Sequence, residues 1–167
     1  GNNSRGAVLN VVPLGDNVTR HSLDPIFRPR SIAVIGASRQ PASIGRELIR
    51  NLIDFEYTGK IFPVNPMAES VASMKCYRRV GDIPDEVDLA VIVVPRNHVP
   101  GVLRECGRKG VKGVVTITAG FKEVGTLEGV ALEAEVKRIL TRYGMRMVGP
   151  NCMGVINTEP GVRLNAT

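Results

Sequence analysis

Residues 31–45 of the sequence, SIAVIGASRQPASIG, have the composition of a phosphate-binding turn. Small and β-branched apolar residues end at Gly36, and a loop of small and polar residues follows. Glycine allows a sharp turn and lets a ligand approach the backbone closely. An amphipathic helix is expected to begin near Ser43, and the first turn of a helix presents N–H groups and partial positive charge to an anion. The stretch therefore indicates a site for the phosphates of a nucleotide-like ligand.

The loop does not match GxGxxG, the usual dinucleotide fingerprint. After Gly36 the next glycine is Gly45. NAD sites also carry Asp or Glu at the end of the second strand, about 20 residues after the glycines, to bind the ribose hydroxyls. The second strand is predicted at Lys60–Val64, and no carboxylate follows it before Glu69. These features weaken an NAD assignment and favour a ligand with more phosphate, such as coenzyme A (CoA).

Strands alternate with helices along the rest of the chain. The continuous apolar run at 89–94 predicts a buried central strand, and runs at 113–118 and 145–148 predict two more. Residues 74–77 are a candidate for a short extra strand. The alternation predicts an α/β fold, a Rossmann-like doubly wound parallel sheet in a single domain.

Three helices are expected between the strands. The second should be capped by Asn97 and should bury Cys106, and the third should run from Thr126 to a left-handed stop at Gly144. The first is expected to form one apolar face from Ile44, Leu48, Ile49, Leu52, Ile53 and Phe55.

The segments that follow the strands contain the remaining candidate residues. In a doubly wound sheet, ligands bind outside the carboxyl ends of the strands. Segments that are far apart in the sequence should therefore meet at one crevice because of the fold alone. They are residues 36–38 (GAS), 64–66 (VNP), 94–96 (VPR), 118–120 (TAG) and 149–154 (GPNCMG).

Composition limits the classes of protein. The chain has 167 residues and a net charge of +6, but its basic residues are scattered and no stacking aromatics accompany them, which argues against nucleic-acid binding. No apolar run approaches the roughly 20 residues that span a membrane. The cysteines at 76, 106 and 152 are dispersed without a CxxC pair, so we expect neither a disulfide scaffold nor a zinc site. This usage fits a protein of the reducing cytoplasm.

The chain is expected to divide into three parts. Residues 1–24 are polar and should form a poorly ordered N-terminal arm, and residues 25–160 should form the ligand-binding domain. Residues 161–167 should begin a connection to a domain that this chain lacks.

Five motifs in order and spacing identify a family. IAVIGAS, VNP, DLAVIVVP, GVVTITAGF and GPNCMGV resemble the CoA-binding domain of the NDP-forming acyl-CoA synthetases, which include the ADP-forming acetyl-CoA synthetases and, more distantly, the α subunit of succinyl-CoA synthetase. The resemblance covers about residues 24–167. Single motifs of this kind are weak, but five in register are specific.

The resemblance implies an activity that is shared between several domains. The family interconverts acyl-CoA, phosphate and NDP with the free acid, CoA and NTP through an acyl phosphate and a phosphohistidine. The phosphohistidine and ATP-grasp domains are the expected partners, and His21 and His98 do not match the phosphohistidine motif. We therefore assign no catalytic residue and expect this chain alone to be inactive.

The resemblance also implies the residues that contact CoA or acyl-CoA. The family often has Lys soon after the VNP proline, where Met67 stands here, and Arg39 or Lys75 could supply that ribose-phosphate contact instead. Cys152 is expected to be a packed residue rather than a nucleophile, because no base or cation stands beside it. The implied phosphate-binding residues are Gly36, Ser38, Arg39 and Gly45; the adenosine side is Val64, Asn65 and Pro66; the adenine and pantetheine path is Val94, Pro95 and Arg96; the thiol end is Thr118, Ala119, Asn151, Cys152 and Gly154.

Two other functions remain open at this stage. The same domain occurs in bacterial protein lysine acetyltransferases, where it would sense CoA without synthetase chemistry. An NAD-binding module is less favoured, because both GxGxxG and the acidic residue after the second strand are absent.

Overall fold

The computed structural model describes residues 23–37, 43–117, 126–149, 155–157 and 161–166. The N-terminal arm up to residue 22, with His21, lies outside the described residues. No described helix is long and apolar enough to cross a membrane. The elements are α1 (Asp24–Phe27), β1 (Ser31–Ile35), α2 (Ile44–Asp54), β2 (Lys60–Val64), β3 (Ser70–Val71), β4 (Met74–Lys75), β5 (Leu89–Ile92), α3 (Val99–Lys109), β6 (Gly113–Thr116), α4 (Leu127–Tyr143), β7 (Arg146–Val148), β8 (Val155–Asn157) and β9 (Leu164–Ala166).

A five-stranded parallel sheet forms the centre of the domain. Its strand order is β2-β1-β5-β6-β7. β2 is added on one side of β1 and β5 on the other, so the order of the strands switches between β1 and β5. Ile35 pairs with Val64 on one side and with Ile92 on the other, which brings the carboxyl ends of three strands level. The predicted α/β, doubly wound parallel sheet is confirmed. In this strand order the ligand crevice opens at the β1–β5 switch point.

Helices cover both faces of the sheet. Leu48, Ile49 and Leu52 of α2 are buried in one apolar layer, against the β1 residue Ile32. On the other face α3 and α4 form the second layer, in which Cys106 is fully buried as predicted. Continuous apolar strands are the expected consequence of a sheet that is covered twice.

The apolar face of α2 is narrower than predicted. Gly45 is buried together with Leu48, Ile49 and Leu52, whereas Ile44 is 54% exposed and Phe55 is 58% exposed. Because Gly45 has no side chain, α2 packs closely on the sheet at this residue. Ile53, like Ile44 and Phe55, lies at the edge of the buried face and stays partly exposed to solvent.

The helix ends were mostly predicted. Thr126 accepts a hydrogen bond from the N–H of Gly129 at 3.2 Å, and Gly144 ends α4 with φ +63°, as expected. The prediction that Asn97 caps α3 is wrong. The residues Arg96–His98 form a 3-10 turn that leads directly into α3, and His98 stands at the cap position without a side-chain bond.

Two strands are shorter than their apolar runs. β5 ends at Ile92 rather than at residue 94, and β6 ends at Thr116 rather than at residue 118. The N–H of Val93 still bonds the Ile35 carbonyl at 2.8 Å, and that of Ile117 bonds the Ile92 carbonyl at 2.9 Å. Beyond these bonds the neighbouring strands have ended, so the chain leaves the sheet.

Two small hairpins flank the sheet. β3 and β4 form the first, and Tyr77, just after it, pairs with Val64, which accounts for the extra strand predicted at 74–77. β8 and β9 form the second, which the sequence did not predict. Leu164 of β9 is buried in the α2 layer. The division of the chain at residue 160 remains a prediction.

The amino ends of the strands are held by ion pairs and by one buried tyrosine. Lys60 pairs with Asp85 at 2.8 Å, and Arg30 pairs with Asp88 at 3.5 Å. The Tyr57 hydroxyl donates to the Pro29 carbonyl at 2.6 Å. Burial, reinforced by the negative charge of Asp88, raises the pKa of Tyr57 above its usual range. The folded domain therefore holds this phenol in its neutral form.

Replacing Tyr57 with Phe should lower the free energy of unfolding by about 1 to 2 kcal/mol, because the buried Pro29 carbonyl loses its donor. Because the pKa is raised on folding, the stability contributed by Tyr57 is complete below the unfolded pKa and is lost as the pH rises above it. Urea unfolding between pH 8 and 11 should therefore show a shallower alkaline decline for Tyr57→Phe than for the parent. Equal slopes would contradict the proposed coupling.

Candidate functional site

Gly36 stands at the switch point, directly after β1. Its N–H donates to the Val64 carbonyl of β2 at 3.0 Å, and its φ of +95° lies in the left-handed region that favours glycine. A Cβ built on Gly36 would lie 2.1 Å from the Val93 carbonyl oxygen, just after β5. The turn is thus enclosed by the ends of β2 and β5, and the structure brings the ends of these three strands together as predicted.

Gly45 lies opposite Gly36, in the first turn of α2. A Cβ on Gly45 would lie 2.5 Å from the Gly36 carbonyl oxygen and 3.0 Å from the Ala37 Cα. The two glycines therefore allow the start of α2 to pack on the turn. This contact gives Gly45 a packing role that the sequence did not reveal, and its contact with a ligand remains a prediction.

The first turn of α2 presents N–H groups at this edge of the sheet. The Ser43 hydroxyl accepts from the N–H of Arg46 at 3.3 Å, and the first intrahelical bond runs from the N–H of Glu47 to the Ser43 carbonyl at 3.0 Å. The N–H groups of Ile44 and Gly45 precede that bond and have no partner within the helix. With the partial positive charge of the helix end, they form an anion-binding surface.

Gly36→Ala should lower the free energy of unfolding by about 3 kcal/mol, because a methyl group would strain a left-handed residue and collide with backbone. Gly101→Ala in α3 is the matched control. Gly101 has open space around its Cβ position, so this change should be neutral or mildly stabilising. Urea unfolding of both variants measures the contrast, and similar stabilities would contradict the crowding of Gly36.

Asn65 follows β2, and its side chain links the turn after β2 to the turn after β1. Its Nδ2 donates to the Ala37 carbonyl at 2.6 Å, and its Oδ1 accepts from the N–H of Met67 at 2.8 Å. Both ends of the amide are therefore engaged with protein. Asn65 was predicted to line the adenosine side, and the structure adds that its side chain fixes the wall of the crevice.

Asn65→Asp should destabilise the domain more than Asn65→Ala does. The carboxylate would place an oxygen against the Ala37 carbonyl oxygen with no proton between them, and losing a part-buried bond of this kind costs about 1 to 3 kcal/mol. Thermal and urea unfolding test the order of the two variants. Asn97→Asp, at an exposed asparagine, serves as the control for adding charge. If Asn65→Asp were as stable as the parent, the bond to Ala37 would be unimportant.

An open cavity of about 460 Å³ lies beyond the carboxyl end of β2. Among the described residues it is lined by Pro66, Arg78, Arg79 and Asp82. Met67, where the family usually has Lys nearby, is 90% exposed. This cavity extends the predicted adenosine side past Val64 and Pro66.

The segment after β5 leads to a second cavity. Val94 is half-buried and Pro95 is exposed, next to the Gly36 turn. Arg96 lines a cavity of about 370 Å³ between the starts of α3 and α4. His98 is exposed.

The thiol-end residues fall outside the described residues. Ser38 and Arg39 of the first loop do so as well, so their contacts remain predictions. What the structure describes is the approach to them, since Ile117 and Gly149 follow β6 and β7 at the same edge of the sheet as Gly36. The thiol-end residues are Thr118, Ala119, Asn151, Cys152 and Gly154.

The described cysteines do not form a reactive centre. Cys106 is fully buried, and burial, followed by the nearby charge of Glu105, raises its pKa to about 12. Burial also raises the pKa of Cys76. The described part of the chain contains no group of three or more His, Cys, Asp or Glu residues able to hold a metal ion.

Comparison with known proteins places the chain in a family. The profile of a family described as the CoA-binding domain matches residues 30–158, which include β1 to β8. The chain belongs to the CoA-binding domain family. The resemblance inferred from the five sequence motifs is thus confirmed.

The chain is similar to CoA ligases of several archaea. The chain is 53% identical to the alpha subunit of acetate–CoA ligase (ADP-forming) II of Pyrococcus furiosus over 87% of its length, and 50% identical to acetate–CoA ligase (ADP-forming) of Methanocaldococcus jannaschii over 88%. A solved acetyl-coenzyme A synthetase 1 of Candidatus Korarchaeum cryptofilum, in complex with phosphate and ADP, matches with 49% identity and a TM-score of 0.79 over 87% of this chain and 30% of that one.

The CoA-binding domain spans only part of these proteins. It covers 31% of the Pyrococcus subunit and 20% of the Methanocaldococcus ligase. The match is therefore to one domain of a larger enzyme.

Proposed function

We propose that this CoA-binding domain holds CoA or acyl-CoA for an ADP-forming acyl-CoA synthetase. The observation that supports the proposal is the meeting of the Gly36 turn, the start of α2 and the ends of β2 and β5 at the switch point of a chain in this family. The crevice offers backbone N–H groups to a diphosphate and leaves room beside strands of small residues for a slim ligand.

The ligand would cross the crevice along the strand ends. The diphosphate would lie against the Gly36 turn and the N–H groups of Ile44 and Gly45. The adenosine would lie toward Val64, Asn65 and Pro66 at the end of β2. In nucleotide-binding sheets the ribose of the ligand lies at the end of the second strand. The pantetheine arm would pass Val94 and Pro95 toward the segments after β6 and β7, where the thiol would meet the acyl group.

The chemistry would be completed by other domains or subunits. In the synthesis direction an acid and ATP give an acyl phosphate and ADP, and the CoA thiol then displaces phosphate to give acyl-CoA. The chain's own residues would bind and orient CoA, and no described residue is placed to transfer phosphate. Partners that carry a phosphohistidine and an ATP-grasp fold fit this division. The named relatives favour the synthetase over a lysine acetyltransferase.

Calorimetric titration with CoA, acetyl-CoA, NAD and ADP tests the proposal. CoA and acetyl-CoA should bind and raise the melting temperature, because a ligand that binds only the folded state stabilises it. NAD should bind far more weakly, since no carboxylate stands directly at the end of β2, before Glu69, to receive its ribose. Tight NAD binding without a CoA response would overturn the proposal.

A charge placed at the start of α2 tests the location of the diphosphate. Ile44 is exposed in the first turn, so Ile44→Glu should not harm folding and should interact favourably with the helix dipole. Its carboxylate would repel the diphosphate, and we expect CoA binding to weaken by about tenfold. The isosteric control Ile44→Gln should retain affinity. Equal binding by the two variants would place the diphosphate elsewhere.

A further inference from the structure

The cavity beyond β2 contains two arginines that the sequence did not single out. Arg78 and Arg79 line it together with Pro66 and Asp82. Pro66 follows Asn65, whose side chain bonds the Ala37 carbonyl at the phosphate-binding turn. The cavity therefore begins beside Asn65, at the predicted adenosine side of the crevice.

The backbone holds this arginine pair in place. Tyr77 donates its N–H to the Pro63 carbonyl at 2.9 Å, and its own carbonyl accepts from the N–H of Asn65 at 2.9 Å. The Tyr77 ring packs edge-on against Phe62, with centroids 6.0 Å apart. Arg78 thus begins one residue beyond a fixed pairing with the end of β2.

The two guanidinium groups have no acidic partner among the described residues. Several other arginines are engaged in ion pairs, for example Arg104 with Glu135 and Arg163 with Glu56, both at 2.6 Å. Neither Arg78 nor Arg79 forms an ion pair or side-chain hydrogen bond with a described residue, although both are exposed and line the cavity. Asp82 contributes one negative charge, so the described lining carries a net positive charge.

The position of the pair relates it to one part of the ligand. In nucleotide-binding sheets the ribose lies at the end of the second strand, and an arginine there receives a phosphate carried by the ribose. The ribose of CoA carries a 3′-phosphate, which dephospho-CoA and ADP lack. Arginine binds phosphate through two parallel N–H bonds, which gives geometric selectivity as well as attraction.

We infer that Arg78 and Arg79 form the subsite for the ribose 3′-phosphate of CoA. The inference rests on the proposed function, since it assumes that CoA occupies the crevice. Met67 is neutral and points into solvent. Lys75 has its ammonium group over the Tyr77 ring, 5.1 Å from the centroid, and is absent from the described lining of the cavity.

Titration with CoA and with dephospho-CoA separates this subsite from the rest of the ligand. The parent domain should prefer CoA, and Arg78→Ala and Arg79→Ala should each weaken CoA binding by about tenfold. Their affinity for dephospho-CoA should stay unchanged, so the preference ratio falls and falls further in the double variant. Arg108→Ala, at an exposed arginine near the far end of α3, controls for the loss of one positive charge.

Each other outcome has a distinct meaning. If CoA binds but the ratio is the same in the arginine variants as in the parent, the subsite assignment is wrong while the proposed function stands. The assignment also fails if Arg39→Ala or Lys75→Ala alone abolishes the preference for CoA. If the folded parent, checked by circular dichroism, binds neither ligand, the proposed function fails and the subsite fails with it.

Discussion

The crowding of backbone around Gly36 is the constraint on which the crevice depends. Its N–H is bonded to the end of β2, the space for its side chain is occupied by the carbonyl after β5, and Gly45 of α2 packs on its own carbonyl. Three elements from different parts of the chain therefore meet at a residue with no side chain. In this arrangement the start of α2 comes close to the sheet edge, so its N–H groups and dipole act where a phosphate would lie.

The wall of the crevice is built before any ligand arrives. Asn65 uses its donor on one turn and its acceptor on the next, and Tyr77 continues the pairing beyond β2. Polar groups that already have partners do not have to be reorganised on binding, which lowers the entropic cost of association. Under the proposed function this wall would receive CoA, and the inferred arginine subsite would distinguish one part of that ligand.

Much of the fold could be predicted because its signals are local. The bounds of β2 and the caps of α2 and α4 follow from short patterns of apolar, capping and glycine residues. The ends of β5 and β6 could not be predicted, since the apolar runs continue past the point at which the neighbouring strands stop. Exposed Ile44 shows the same difficulty on a helix, where periodicity does not separate the centre of a face from its rim.

The candidate site was predicted at the level of segments and missed at the level of contacts. Asn65 bonds a carbonyl 28 positions away, and this proximity exists only after β1 and β2 pair. Arg78 and Arg79 become neighbours of Pro66 only through the bridge between Tyr77 and Val64. The β8–β9 hairpin has strands of three residues each, too short to show a periodic pattern.

The ion pairs at the amino ends of the strands differ from the charges at the opposite edge of the sheet. Lys60 and Arg30 are each neutralised there by an aspartate, whereas the arginines beyond β2 have no such counter-charge among the described residues. The described lining of the cavity beyond β2, with two arginines and one aspartate, therefore keeps a net positive charge. A polyanion diffusing nearby is drawn to that side before contact, at a rate that falls as salt shortens the screening length to about 8 Å at physiological ionic strength.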